Sequence, residues 1–349
     1  MNRYCVIMAG GIGSRFWPLS KNDRPKQFLD ILGTGKTFLR ATFERFLPLV
    51  PPDRFVVVTN AAYKQLVLDQ LPELEASQVL CEPMRRNTAP CIAYALYHIL
   101  ALSPDAAIAI TPADHLVTNE PEFHRVIGAG LDFVERHRQA LLTIGIQPSR
   151  PETGYGYIEA EAAPAAYTPV PVKSFKEKPD LPTAQQFLAH GGYYWNSGIF
   201  LWSSQAIMEA LRLHLPRLAD LFDQGRPYFG TPQEQAFIDR QFAQCPDISI
   251  DYGVMEHSRH CYTMAADFGW SDIGTWGSLH AHSAHDPSGN ALCGHALLVD
   301  TTNSVVSLEP GCEAIVQGLD HCLVALRGRS LLVCRLDDEQ HIKDWVGRL

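Results

Sequence analysis

The sequence predicts an α/β fold built as two domains. Short, continuously apolar runs recur at residues 4–8, 54–59, 106–111 and 140–146, with the length and composition of strands buried on both faces. Segments of helical period lie between or beside them, at 37–46, 61–70, 89–102 and 120–135. From about Pro287 the pattern changes. Residues 290–336 are rich in Val, Leu, Gly, Asn and Asp, with turn residues every eight to twelve positions, which reads as a small all-β domain.

Each element follows from its residues. Strands spaced by helices imply right-handed crossovers and a mostly parallel sheet covered on both faces. The first strand, YCVIM, runs straight into Gly10, Gly11 and Gly13. Glycines at such a place let backbone N–H groups approach a phosphate and tolerate positive φ. Residues 338–349 read as a terminal helix, acidic early and with Lys343 and Arg348 late, as the helix dipole favours. Turn chemistry at His285-Asp286-Pro287-Ser288-Gly289 places the expected division between 1–285 and 286–349.

Composition narrows the function. At 349 residues the chain exceeds the roughly 100–200 residues of one domain. A net charge of −9 excludes a broad basic surface, so no nucleic-acid polymer is expected as partner. Any phosphate must meet a local cluster of Lys and Arg. No apolar stretch approaches the roughly 18–20 residues of a membrane helix, and the turn at Gly10 comes too soon for a signal peptide. The expectation is a cytoplasmic protein with no membrane partner. The nine cysteines are odd in number and lack C-x-x-C spacing, so they read as free thiols.

The segment 8–28, MAGGIGSRFWPLSKNDRPKQF, carries the strongest chemical signal. Arg15 offers a planar fork of donors and Lys26 a mobile point charge, both suited to phosphoryl oxygens. Two familiar motifs fail here. G-x-G-x-x-G would need glycine where Phe16 stands, and the Walker-like run ending Gly35-Lys36-Thr37 has Asp30 at its leading glycine position.

The run GG-x-G-x-R-x-WPLS followed by PKQF resembles the opening signature of bacterial mannose-1-phosphate guanylyltransferases, the GDP-mannose pyrophosphorylases within the sugar nucleotidyltransferases. Further motifs stand in that family's order. They are Glu82-Pro83 with Arg86-Asn87-Thr88-Ala89-Pro90, Pro112-Ala113-Asp114-His115, and Gly154-Tyr155-Gly156-Tyr157. Then come Glu177-Lys178-Pro179, Trp195-Asn196-Ser197-Gly198, Asp251-Tyr252 with Met255-Glu256, and Trp270-Ser271-Asp272-Ile273-Gly274.

The resemblance implies a Rossmann-like, mixed and mostly parallel catalytic domain, followed by a small left-handed β-helix domain that packs and makes a homodimer contact. It implies GTP and mannose 1-phosphate as substrates, and the short form of the enzyme with a single activity. Arg15 and Lys26 then hold the triphosphate as catalytic residues, and Gly10, Gly11, Gly13, Glu82, Asn87 and Thr88 lie at the nucleotide. Gly156, Glu177, Lys178 and Asn196 take the sugar phosphate, and Asp114 and Asp272 hold Mg²⁺. One position departs from the family: His257 stands where Lys is common, a weaker and pH-dependent partner for a phosphate. The run His280, His282, His285 lacks the helix context of a metal motif and reads as a solvated linker. The same chemistry with another base or sugar stays open, as does a non-catalytic, nucleotide-sugar-binding regulator.

Overall fold

The computed structural model describes residues 1–11 and 13–349 and divides them into two compact units. The first gathers Met1–Gly10, Thr42–Ala113 and Val117–Trp270; the second gathers Gly11–Ala41, Asp114–Leu116 and Ser271–Leu349. This differs from the expected division at residue 285. The reason is packing: Phe16, Ile31 and Phe38 share one apolar core with Trp276, Val305, Leu323 and Ile342. The glycine-containing loop therefore belongs with the C-terminal strands, although a long stretch of chain separates them.

The strands of the first unit are β1 (Asn2–Ala9), β2 (Phe55–Asn60), β3 (Val79–Glu82), β4 (Ala106–Pro112), β6 (Leu141–Ile146), β7 (Tyr157–Ala160), β8 (Val170–Lys176), β9 (Tyr193–Ser203) and β10 (Cys261–Ala266). Two short strands, β5 (Leu116–Val117) and β11 (Trp270–Ser271), pair apart from them where the chain passes from one unit to the other. The nine form one mixed sheet in the order β3-β2-β1-β4-β9-β6-β10-β8-β7. β3, β2, β1 and β4 are parallel, with Cys5 opposite Phe55 and Ile7 opposite Thr111. β9 runs antiparallel between β4 and β6.

The four apolar runs of the sequence are β1, β2, β4 and β6. β2, β4 and β6 are buried at nearly every position, because helices cover both faces and leave no water-facing row. Helix Thr88–Leu102 is buried continuously from Ala89 to Ile99, which its apolar character on all sides requires. β9 carries Trp202, which is fully buried and stacked on Phe200 at 5.4 Å. The parallel strands bring their carboxyl ends to one edge of the sheet, where α/β folds place ligands. Gly10 follows β1 there, Glu82 ends β3, and Pro112 ends β4.

In the second unit the C-terminal strands are β12 (Ala291–Cys293), β13 (His295–Val299), β14 (Val305–Ser307), β15 (Glu313–Gln317), β16 (Cys322–Arg327) and β17 (Ser330–Arg335). β12, β14 and β16 lie parallel and in step, Ala291 beside Val305 beside Leu323, and β13 lies parallel to β15. Each coil of chain thus returns to stack on the last. The corner at Gly294 (φ 103°) needs glycine, since a Cβ there would meet Leu308 Cβ at 2.9 Å. Val306, Leu308, Val316 and Val324 fill the space between coils. Among the described residues no helix is long and apolar enough to cross a membrane.

Candidate active site

The triphosphate residues expected from sequence meet in the second unit. β1 ends before Gly10, and the loop turns through Gly13 at φ 62° into the short 3-10 turn Ser14–Phe16. A Cβ on Gly13 would press on Lys26 Cβ and lie 3.1 Å from Ser20 Oγ, so only glycine lets the two segments close together. Phe16 is buried against Trp276 at 5.2 Å between ring centroids, which leaves Arg15 at the rim beside an anchored ring. Gln27 Nε2 donates to Gly11 O at 3.0 Å and pins the loop from below.

Lys26 organises the centre. It is 3% exposed, and its ammonium donates to Asp114 Oδ2 at 3.0 Å, to Asp114 O at 2.9 Å and to Asp272 O at 2.6 Å. One side chain thereby joins the two segments that carry the expected metal carboxylates. Burial alone would raise the Asp114 carboxyl, but Lys26 and then His115 beside it hold it below the usual range. Asp272 Oδ1 accepts from Gly274 N at 3.0 Å, and Ile273 between them sits at φ 41° with its side chain fully buried. These residues line a cavity of about 300 Å³, to which Lys343 of the terminal helix also contributes.

A larger cavity of about 920 Å³ lies in the first unit, lined by Pro52, Val79, Leu80, Tyr94 and Leu102. Its rim sets Lys64 against Asp53, Glu73 and Glu75, a balance that repels phosphate, so its size does not make it the reactive site.

The base and sugar residues lie in the first unit. Glu82 is 7% exposed beside Gly10, whose absent Cβ would stand 3.7 Å from Glu82 Oε2. Among the described residues Glu82 Oε1 has no hydrogen-bond partner, and burial pushes the carboxyl up to about 8 against the opposing pull of Cys91 and Arg85. Asn87 and Thr88 have structural work to do. Asn87 Oδ1 accepts from Thr88 N at 3.0 Å and caps the helix, while Thr88 Oγ1 accepts from Ile250 N at 2.8 Å.

The sugar set is brought together. Glu177 Oε2 occupies the space that a Cβ on Gly156 would take, and Lys178 Nζ pairs with Glu177 Oε1 at 2.6 Å. Asn196 N donates to Gly156 O at 2.8 Å, and Asn196 Nδ2 donates to Asp251 Oδ1 at 2.7 Å. Tyr155 packs between Trp195 and Trp270, while Tyr157 is fully buried.

Asp251 was quoted as part of a motif but not expected at the site. Burial, then Glu177, pushes its carboxyl up to about 6, against the opposing bond from Asn196. The folded chain therefore holds the Asp251 proton more tightly than the unfolded chain. That favours folding below pH ~4 and is lost as pH rises to about 6. Asp251→Asn is expected to stabilise the protein by roughly 1–3 kcal/mol at pH 7.5, and by less at pH 5. Urea unfolding at both pH values checks this; an equal gain at both would refute it.

His257 has His214 as its aromatic neighbour, with ring centroids 6.2 Å apart. The histidine run contacts main chain. His280 Nε2, His282 Nδ1 and His285 Nε2 each face a backbone carbonyl, of Gly289, Ser278 and His280 respectively. Among the described residues no three metal-ligating side chains cluster. All nine cysteines are free.

Comparison with known proteins shows the family of the chain. The nucleotidyl transferase family model matches residues 4–289. The mannose-1-phosphate guanylyltransferase of Escherichia coli K12 is 36% identical over 354 residues, covering 99% of this chain and 73% of its own. The xanthan biosynthesis protein XanB of Xanthomonas campestris (strain B100) is 37% identical, covering 99% and 72%. A crystal structure from Thermus thermophilus, named as a mannose-1-phosphate geranyltransferase, superposes with a TM-score of 0.88 at 32% identity over 100% of this chain and 99% of that one.

Proposed function

Because the chain belongs to the nucleotidyl transferase family, we propose that it transfers GMP from GTP to α-D-mannose 1-phosphate and releases pyrophosphate. The observation that carries this reading is Lys26, buried and bonded to both carboxylate-bearing segments in the cavity that Arg15 lines.

In the reaction a phosphate oxygen of the sugar phosphate attacks the α-phosphorus in line. The new O–P bond forms as the bond to the β-phosphate oxygen breaks, and the electron pair leaves with pyrophosphate. The attacking oxygen is already ionised, so no general base is required. Arg15 and Lys26 neutralise charge on the triphosphate, and the loop glycines let main-chain N–H groups reach it. Two carboxylates beside phosphate oxygens would suit Mg²⁺, a hard cation that keeps several waters. Asp114 and Asp272 would hold that ion, which supplies charge neutralisation at the phosphoryl oxygens.

On the nucleotide side, the unpartnered Oε1 of Glu82 is in this reading the acceptor for a guanine N–H, whereas adenine carries its N–H donors at N6 and presents N1 as an acceptor. Gly156, Glu177, Lys178 and Asn196 take the sugar phosphate in this reading, with Asp251 orienting Asn196. The reading also includes a Rossmann-like sheet, a left-handed sense for the C-terminal coils, a homodimer and a cytoplasmic setting.

Pyrophosphate release with Mg²⁺, measured over GTP, ATP, UTP and dTTP against mannose, glucose and galactose 1-phosphates, tests it. A signal confined to GTP with mannose 1-phosphate is expected. Release with another pair would keep the chemistry and change the substrate. Silence in every combination, from folded protein that binds a nucleotide sugar, would favour a regulator.

A further inference from the structure

The cavity that holds Lys26, Asp114 and Asp272 has one charged wall that no sequence motif marks. Lys343, from the short helix Ile342–Val346, lines it along with Arg15. We infer that Lys343 binds phosphate in this site, holding the pyrophosphate end of the triphosphate before and after the bond breaks. The inference rests on the nucleotidyl-transfer reading above.

The position of Lys343 is built into the fold. Its neighbour Ile342 is fully buried in the core that contains Phe16 and Trp276, so the helix is anchored beside the phosphate loop. Glu339, one turn earlier, accepts from Gly277 N at 2.8 Å and ties the same segment to the turn that follows Asp272. A merely solvated terminal helix needs neither restraint.

Charge gives the second argument. Lys26 is already committed to Asp114 and to two carbonyls. Arg15 and Lys26 together only balance Asp114 and Asp272, so even with the divalent ion those carboxylates would hold, a triphosphate's several negative charges are not fully offset. Lys343 tips the lining to positive. Among the described residues no carboxylate stands within ion-pair distance of Lys343, so its ammonium is free to donate to phosphate oxygens while its stem covers the cavity wall. It forms and breaks no covalent bond in this role.

Lys343→Met and Lys343→Arg in the full chain test it. Magnesium pyrophosphate binding is measured by calorimetry, and KM and kcat are measured for each substrate. The Met variant should bind pyrophosphate roughly 10- to 100-fold more weakly and raise KM for GTP, with KM for mannose 1-phosphate near wild type. The Arg variant should recover most of the loss. Unchanged pyrophosphate affinity in folded Lys343→Met would overturn the inference, as would a wild-type chain that binds no pyrophosphate. Equal losses in both variants, with lowered unfolding temperatures, would reduce Lys343 to a packing role. Lys343-dependent pyrophosphate binding without turnover of any substrate pair would sink the reaction reading while leaving this residue's role standing.

Discussion

Asp114→Asn should lower kcat for pyrophosphate release by at least about a hundredfold. The amide keeps the shape of the side chain and leaves the backbone oxygen that Lys26 uses, at 2.9 Å, in place. What disappears is the negative charge that faces Lys26 and would hold a divalent cation. The carboxylate stays ionised at neutral pH because Lys26 and His115 offset its burial, so the wild-type site presents a full charge there. Breaking a buried ion pair costs about 3–5 kcal/mol, but the Asp114 side chain is 32% exposed, so a smaller loss of stability is expected. Pyrophosphate release across a range of Mg²⁺ concentrations, with thermal unfolding alongside, separates the two effects. Near-normal activity at every Mg²⁺ concentration would remove Asp114 from the mechanism.

Lys26→Met is expected to have the larger combined effect. Methionine has a similar reach without the ammonium, so Asp114 Oδ2 and two backbone carbonyls lose their common donor at once. Each buried acceptor left unpaired costs about 1–3 kcal/mol. Turnover should fall by about 10²–10³-fold, because the same change removes a cation from the triphosphate site. Lys26→Arg should not rescue it, since a planar guanidinium cannot bring one nitrogen to Asp114 Oδ2, Asp114 O and Asp272 O together as the compact ammonium does. Kinetics and urea unfolding read both parts. Wild-type stability with lost turnover would confine Lys26 to chemistry, and unchanged turnover would contradict the whole arrangement.

The sequence exposed the strands with no water-facing row. β1, β2, β4 and β6 could be read directly, because burial on both faces leaves an unbroken apolar run. It also marked Gly13, Arg15 and Lys26, which are close in sequence and line one cavity in the structure. The antiparallel entry of β9 between β4 and β6 was hidden, because pairing partners far apart in the chain leave no local mark. The placement of Lys343 was hidden for the same reason: a terminal Lys reads as a helix-dipole partner until its neighbour is seen buried with Phe16. Asp251 stood in a quoted motif, yet its elevated carboxyl depends on Glu177 and on burial, neither of which sequence spacing reveals. The grouping of residues 11–41 with the C-terminal strands was hidden, because turn chemistry at residue 285 marks a bend in the chain and says nothing about which residues share a core.

That shared core sets an order of events at birth. Phe16 leaves the ribosome more than two hundred residues ahead of Trp276, Leu323 and Ile342, which enclose it. At about 5–20 residues per second this delay is on the order of tens of seconds. Through that interval the strands of the large sheet have partners to pair with, while Phe16, Ile31 and Phe38 lack the side chains that later bury them. A chain cut short near residue 270 would leave Phe16, Ile31 and Phe38 without the side chains that bury them, an aggregation hazard.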